Sequence, residues 1–512
     1  MSIIRSAFTV GSFTLISRIL GYVRDILIAA SLGAGFLSDA FFVAFRLPNF
    51  FRTLSAEGAF NAAFVPLFSG KLEGNNNKAI EFARHVMAFM FVALLIITIL
   101  MQIFMPYVMA ALAPGFLDDA EKFDITVHFG RIVFPYLIFI SMVALLSGIL
   151  NSIGKFAAAA CAPIWLNVCM IGSITLLAKF TQTPAHALAW GVVIAGVVQL
   201  LWMIAAAIRN NILPKPCLPR LDDDVKTLLK RMIPGIIGGG VTQINLWVNT
   251  IIATTMASAV SFLYYADRLV QFPLAIIGTA MGTVLLPALS KHLKNGDTKE
   301  AINKQNQALE VVMILTIPSA IAFMVISQPL IGIMFERGAF NNADTIATAN
   351  ALVAYAFGLP AFVIIKILAP VFFASGDTKT PVKIAVICLI ANVAISLSLI
   401  GFIGHIGLAV ATSSAAWLNS ILLCIILIRR GLYEIDKEMV KRLIKILISA
   451  FIMGIALHYL REIIAFDVNA KFIEKLMKIC ALIFTGIISF FAIAHITGGV
   501  RLNKLLKIMS KT

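Results

Sequence analysis

The stretch FRLPNFFRTLSAEGAFNAAFVPLFSGK at residues 45–71 recurs in similar form as DRLVQFPLAIIGTAMGTVLLPALSK at residues 267–291. Leucine follows Arg46 in the first copy and Arg268 in the second, and PLFS corresponds to PALS. A polar loop rich in Asn and Lys comes after each copy. Because loop, charge and proline keep the same order, chance similarity between two apolar helices is the less favoured explanation. The offset of 222 residues between the two arginines predicts two related halves.

The composition predicts a multi-pass helical membrane protein. Of the 512 residues 60% are hydrophobic and 13% are charged, whereas soluble domains average roughly 25% charged residues. Apolar runs of about 20 residues, long enough to cross a bilayer, recur along the whole chain. They predict about fourteen transmembrane helices in an all-α fold. The second run, 38–68, and the eighth, 259–289, are long and contain proline, which predicts that each is either bent or extends beyond the bilayer.

The basic residues are distributed as in an inner-membrane protein. The formal net charge is +16, yet the basic residues lie mainly in short loops between apolar runs, which disfavours nucleic acid as a partner. Of the 41 Lys and Arg residues, 27 fall on the N-terminal side of the membrane, 8 on the other side and 6 within spans. The positive-inside rule therefore predicts that both termini are cytoplasmic and that the number of spans is even.

The repeat also predicts the domain organisation. Six predicted spans separate its two copies, so the halves have the same orientation and form two parallel, pseudo-symmetric six-helix lobes. The N-terminal lobe is predicted at 1–210 and the C-terminal lobe at 211–435. Residues 436–512 then hold two further spans and a basic cytoplasmic tail.

Charged residues within the predicted spans point to an anionic ligand. Each Arg, Lys or Asp at the middle of a membrane helix costs about 2.5–3.5 kcal/mol, so these groups should face a protein interior or a watery cavity. Six are basic and four acidic, a surplus of about two positive charges, and arginine suits a bidentate grip on phosphate or carboxylate. The ten residues are Arg18, Arg24, Asp25, Asp39, Arg46, Arg52, Glu57, Asp267, Arg268 and Lys366.

Motifs for catalysis, metals and cofactors do not appear in the sequence. It contains no GxxxxGK[ST], HExxH or GxSxG, and its cysteines and histidines show no metal-ligand spacing. We therefore predict a transporter rather than an enzyme, with no catalytic residue, metal or cofactor. The short polar run GDTKTP at 376–381 is interpreted as a turn followed by a helix start.

A resemblance to a known family adds to this interpretation. Residues 17–69, beginning SRILGYVRDILIAASLGAGFLSDAFFVAFRLPNFF, and 265–290, YADRLVQFPLAIIGTAMGTVLLPALS, closely resemble the MurJ (MviN) family of the MOP exporter superfamily. The resemblance covers the whole chain and includes GDTKTPVK at 376–383. It implies two six-helix lobes around a central cavity, with the last two helices forming a groove for a lipid tail.

The resemblance also implies particular site residues. The substrate-binding positions of the family fall on Arg18, Arg24, Arg52, Arg268 and Ser261. Its acidic cavity residues, of which the two aspartates are expected to hold arginines, fall on Asp25, Asp39 and Glu57. A sodium site found in some relatives falls on Asn249, Asn392, Ser396 and Thr412. These four side chains include no carboxylate, so a functional sodium site is doubtful and the cation site is degenerate.

The function implied by the resemblance is the flipping of lipid II, a polyprenyl-diphosphate-linked disaccharide-pentapeptide, from the inner to the outer leaflet of the bacterial inner membrane. The implied partners are lipid II, membrane lipids and a cell-wall synthesis complex. Three alternatives remain open: a flippase for another polyprenyl-diphosphate-linked saccharide, a drug or cation antiporter of the same superfamily, and a scaffold without transport activity. The arginine surplus disfavours the antiporter because a cationic drug needs carboxylates.

Overall fold

Helices and short connecting loops make up the part of the chain that the structure describes. The computed structural model describes residues 3–53, 59–464 and 472–500, and within these ranges there is no β-strand. The helices are α1 (Ile3–Leu32), α2 (Phe36–Phe51), α3 (Phe60–Gly74), α4 (Asn76–Leu112), α5 (Ala120–Val133), α6 (Tyr136–Ser152), α7 (Phe156–Thr175), α8 (Pro184–Arg209), α9 (Asp223–Thr254), α10 (Ala259–Lys294), α11 (Thr298–Val325), α12 (Ser327–Phe335), α13 (Asn342–Ala374), α14 (Lys379–Ile403), α15 (His405–Arg429), α16 (Lys437–Ile464) and α17 (Phe472–Ile496).

The predicted all-α membrane fold is confirmed, whereas the number of spans stays a prediction. Within the described ranges, ten helices are long and apolar enough to cross a membrane, or up to eleven if the bent helix α9 is included. Several predicted runs are divided: α2 and α3 share the second run, and α11 and α12 share the ninth. Helix α9 bends by 49° within its glycine-rich stretch GIIGGG.

In the second run α2 ends at Phe51 and α3 begins at Phe60, and part of the segment between them lies outside the described residues. Pro48 lies near the end of α2, and Arg52 and Thr53 continue it as a wider π-type turn before the described backbone resumes at Ala59. A proline inside a helix removes one backbone hydrogen bond and crowds the preceding turn. The eighth run behaves differently, because α10 continues through Pro273 and Pro287.

Internal contacts divide the chain into two units. The first comprises Met1–Ser261 together with Arg337–Phe340, and the second comprises Phe262–Glu336 and Asn341–Thr512. The lobes predicted at 1–210 and 211–435 are groups of helices that move together during transport, and they are defined differently from these contact-based units. They stay a prediction.

Aromatic stacking forms much of the core of the first unit. The ring of Phe64 stacks on those of Phe60, Phe68 and Phe82, with centroids 5.0, 5.5 and 5.5 Å apart. All four side chains are buried, and they join α3 to α4. Stacked rings add to the free energy gained by burying apolar area, so this cluster holds α3 against α4.

Polar contacts and small residues hold the helices of the second unit together. The hydroxyl of Ser413 on α15 donates to the carbonyl of Ala354 on α13 at 2.7 Å. At Gly358 a Cβ atom would lie 2.5 Å from that hydroxyl oxygen, so only glycine permits the close approach. Arg442 on α16 donates two hydrogen bonds, of 2.7 and 3.0 Å, to Glu310 on α11.

The polar run GDTKTP forms the predicted turn, and α14 begins within it at Lys379. Asp377 accepts hydrogen bonds from the hydroxyl and backbone N–H of Thr380 and from Arg430. The Thr380 hydroxyl, the Thr380 N–H and the Arg430 guanidinium together hold the pKa of Asp377 well below its usual range. The turn thus fastens the end of α15 to the start of α14.

Candidate functional site

The segment SRILGYVRDIL lies in the middle of helix α1, where two of its charges pair with each other. Arg24 donates through Nε and Nη2 to Oδ1 of Asp25, at 3.0 and 2.8 Å. Both residues are buried, with 7% and 2% of their surfaces exposed. A buried ion pair is tolerated only when further hydrogen bonds satisfy its remaining polar atoms, so other helices must supply partners.

Asn167 on α7 supplies such a partner, and the sequence analysis missed it. Its Oδ1 accepts from Nη1 of Arg24 at 3.0 Å, while its Nδ2 donates to the carbonyl of Ser17 at 2.8 Å. A Cβ atom at Gly21 would lie 3.8 Å from the Asn167 amide, an ordinary van der Waals distance, so the amide packs directly against this part of α1. The only signal in the sequence is one amide within the apolar run PIWLNVCM. Asn167 orients Arg24 on α1.

Replacing Asn167 by leucine should therefore weaken transport while leaving the chain folded. Leucine has nearly the same volume but neither accepts from Arg24 nor donates to Ser17, so the guanidinium loses its interhelical anchor. Losing a hydrogen bond to a charged group costs about 1.5–3 kcal/mol; if this falls on the transport barrier, transport slows roughly ten- to a hundredfold. Growth rescue and protein level in a depletion strain would measure this, with Asn77→Leu, at an exposed residue in the first turn of α4, as the control. Wild-type growth of the Asn167→Leu strain would contradict an orienting role.

Arg18 lies on α1, the helix that also carries Arg24, and Arg52 lies at the end of α2. Arg18 is half-buried on α1, and no described residue forms an ion pair with it. Nε of Arg52 donates to Oδ1 of Asn49 at 3.1 Å. Glu57, predicted as a charge partner, lies outside the described residues.

Asp39 differs from the expectation that it holds an arginine. Its carboxylate has no exposed surface, and its cationic partner is Lys122 on α5, at 2.9 Å. The other carboxylate oxygen accepts from the backbone N–H and the hydroxyl of Ser261, at 3.0 and 2.6 Å. The Ser261 hydroxyl also lies 2.9 Å from that of Ser38. Since Ser261 is itself fully buried here, its contact with a substrate stays a prediction.

Arg268 lies on α10 in the second unit. Its Nη2 donates to the phenol oxygen of Tyr264 at 2.8 Å, and its guanidinium carbon lies 4.5 Å from the centre of the Tyr264 ring. Stacking of this kind holds a guanidinium plane in one orientation. The next residue back, Asp267, accepts from the amide of Gln271 at 3.2 Å. The aromatic ring thus orients a predicted substrate-binding arginine.

The residues of the predicted, degenerate cation site belong to both units. Asn249 lies on α9 in the first unit. In the second unit Asn392 and Ser396 lie on one buried face of α14, and the Thr412 hydroxyl donates to the carbonyl of Leu408 in its own helix. Across the described residues, no group of three or more His, Cys, Asp or Glu could hold a metal ion.

Comparison with protein families identifies the chain. The family profile described as "Lipid II flippase MurJ" matches residues 28–477, most of the chain. The chain belongs to the MurJ family. The resemblance inferred from residues 17–69 and 265–290 is therefore confirmed.

Curated relatives in the MurJ family match over nearly their full length. A protein of Rhizobium tropici named "Probable lipid II flippase MurJ" is 42% identical over 507 residues, which cover 98% of this chain and 95% of the relative. "Lipid II flippase MurJ" of Burkholderia cenocepacia is 36% identical over 501 residues, covering 95% and 96%.

Solved structures agree in fold. "Lipid II flippase MurJ, inward closed conformation" matches with a TM-score of 0.79 at 27% identity, covering 95% of this chain and 98% of that one. An inward-facing multidrug resistance MATE family transporter of the MOP superfamily matches with a TM-score of 0.67 at 13% identity, covering 83% and 98%. The second match shows a common fold only. The MurJ family consists of transporters, and this member is a multi-pass membrane protein rather than an enzyme.

Proposed function

We propose that this MurJ-family protein flips lipid II from the inner to the outer leaflet of the bacterial inner membrane. The observation that supports this most directly is the full-length similarity to proteins named lipid II flippase. The head group of lipid II carries a diphosphate and sugars, which cannot enter a hydrocarbon layer about 30 Å thick without compensation. A cavity that presents arginines would supply that compensation.

The charge balance of the first unit supports binding of the diphosphate by Arg18, Arg24 and Arg52. Asp39 is neutralised by Lys122, so it does not reduce the positive charge of these arginines. Asp25 is paired with Arg24, and Arg18 forms no ion pair with any described residue, so Arg18 is available to the diphosphate. The planar guanidinium group of arginine can donate two hydrogen bonds to one phosphate group. We assign the same role to Arg268 in the second unit.

The transport cycle proposed for this chain is alternating access between lobes at 1–210 and 211–435, with both termini in the cytoplasm. Residues 436–512 would hold the polyprenyl tail, because α16 and α17 expose large apolar side chains such as Phe451 and Phe484. Each positive charge that moves across the full membrane changes the energy by about 2.3 kcal/mol per 100 mV. A negative interior would therefore draw the empty cationic cavity back inward.

Two rival substrates and a non-transport role make different predictions. Another polyprenyl-diphosphate-linked saccharide presents the same diphosphate, so the relatives' names rather than the charges favour lipid II. A cationic drug would be repelled by the net positive charge of the site, which disfavours the antiporter alternative. A scaffold in a cell-wall synthesis complex would not require the cavity arginines at all.

Leaflet exposure of lipid II after rapid depletion of this protein tests the proposal. A membrane-impermeant enzyme that cleaves lipid II from outside should release product in the control strain. It should release at least tenfold less product after depletion, while total lipid II rises. The same assay on a different lipid-linked saccharide is the control. Unchanged lipid II exposure in depleted cells would refute flipping by this protein.

A further inference from the structure

Lys122 lies in the first turn of α5, next to a loop, yet its side chain points into the protein. Only 11% of that side chain is exposed. Its Nζ lies 2.9 Å from Oδ2 of Asp39 and 4.2 Å from the centre of the Phe116 ring. An ammonium group over an aromatic face gains a cation–π attraction. The charge of Lys122 is thus held between one carboxylate and one ring.

The backbone of Lys122 is also fixed before its side chain makes these contacts. Asp119 caps α5 by accepting from the Lys122 N–H at 3.1 Å. One turn later, the hydroxyl of Thr126 donates to the Lys122 carbonyl at 2.6 Å. Because the helix start is held locally, orienting the long side chain towards Asp39 loses less conformational freedom.

Asp39 depends on Lys122 more than on any other described residue for charge compensation. Its two hydrogen bonds from Ser261 come from neutral donors, and Lys122 is the one cation that pairs with it in the described part of the chain. Removing one partner of a buried ion pair is strongly destabilising because the other charge stays buried. Through Ser261, Asp39 in turn holds the first turn of α10.

We propose that Lys122 is a positioning residue for transport: as the counter-ion of buried Asp39, it keeps that carboxylate in place to hold and release Ser261 at the start of α10. The proposal rests on the proposed flipping cycle, in which α10 moves relative to α2. When Asp39 loses its hydrogen bonds from Ser261 while it is still buried, Lys122 remains beside its carboxylate. Asp39 therefore need not recruit an arginine from the substrate-binding set.

Substitutions of Lys122 and Asp39, alone and combined, test the inference. At matched protein levels, Lys122→Met should lower lipid II exposure at least tenfold, and Lys122→Arg should stay within twofold of wild type. Lys122→Met combined with Asp39→Asn should recover at least fivefold over Lys122→Met alone, because the buried charge is then absent while an acceptor for Ser261 remains. Lys179→Met, at an exposed lysine of the same unit, is the control.

Thermal unfolding of the purified proteins separates this inference from the proposed function. The double variant should unfold at a higher temperature than Lys122→Met, whichever lipid is carried. The exposure of lipid II measured in the strain with the wild-type protein independently reports whether the protein flips lipid II. Exposure by Lys122→Met within twofold of wild type, or a defect that Asp39→Asn does not relieve, would overturn the positioning role. If Lys122→Met does not accumulate, the double variant and Lys122→Arg still decide the outcome.

Discussion

Replacing Arg24 by alanine is expected to abolish growth in a strain that depends on this protein, while the protein still accumulates in the membrane. The change removes two hydrogen bonds to Asp25 and one to Asn167. It also removes a cation that we assign to the diphosphate of lipid II. Breaking one side of a buried ion pair costs about 3–5 kcal/mol. If about 3 kcal/mol of this falls on the transport barrier, flipping slows roughly a hundredfold.

Two further variants separate the roles of charge and geometry at this position. Arg24→Lys keeps the positive charge but loses the planar fork, so it should support slow growth and intermediate exposure of lipid II. Arg131→Ala removes an exposed arginine from α5 in the same unit and should behave as wild type. Full rescue by Arg24→Ala at a normal protein level would contradict the arginine site.

The second large effect is expected at Gly338, in the segment that follows α12 but packs with the first unit. Its φ of +59° lies in the left-handed region, and a Cβ atom there would approach the Ala30 carbonyl oxygen to 2.2 Å. The neighbouring Ala339 N–H donates to this same carbonyl at 2.8 Å. On the facing side Gly33, with φ of +65°, would bring a Cβ atom to 2.5 Å from the Ala339 carbonyl oxygen.

Gly338→Ala should therefore lower the stability of the purified protein by about 2–4 kcal/mol. Left-handed backbone at a non-glycine residue costs on the order of 1–3 kcal/mol. The clash also forces the Ala339–Ala30 hydrogen bond to lengthen, which costs about 1 kcal/mol more. Thermal unfolding in detergent measures the change.

Gly376→Ala is the matched control for this prediction. Gly376 has φ of +80°, but no atom lies within 4 Å of its Cβ position. The control therefore carries the backbone strain without the clash, and its unfolding temperature should fall less than half as far. Equal unfolding temperatures for the two variants would show that the close approach at Ala30 contributes nothing.

Helix content and membrane insertion could be predicted from the sequence because both depend on local properties. Long apolar runs bury a hydrogen-bonded backbone in lipid wherever their neighbours lie. The turn at GDTKTP was predicted for the same reason, since Asp377 and Thr380 are close in the chain. A disturbance of the second run was predicted because of its proline, and Pro48 lies near the end of α2.

The residue types of the candidate site could be predicted from the sequence, but the partners of its charged residues were predicted less well. The buried aspartate at position 39 was expected to hold an arginine, yet Lys122, which is not one of the ten predicted intramembrane charges, fills that role. Asn167 was missed because one amide in an apolar helix carries no periodic signal. Its partners Arg24 and Ser17 lie 143 and 150 residues away along the chain.

The sequence by itself therefore determined the class of protein, its helical segments and the positive surplus of its intramembrane charges. The family resemblance added the prediction that the chain is similar to the MurJ lipid II flippases, and the comparison with known MurJ proteins confirmed that similarity. Only the tertiary structure decided which charges are already paired: Arg24 with Asp25 and Asn167, and Asp39 with Lys122 and Ser261. The physical reason is that a hydrogen bond between helices depends on the rotation and crossing of both helices, whereas hydropathy depends on each residue alone.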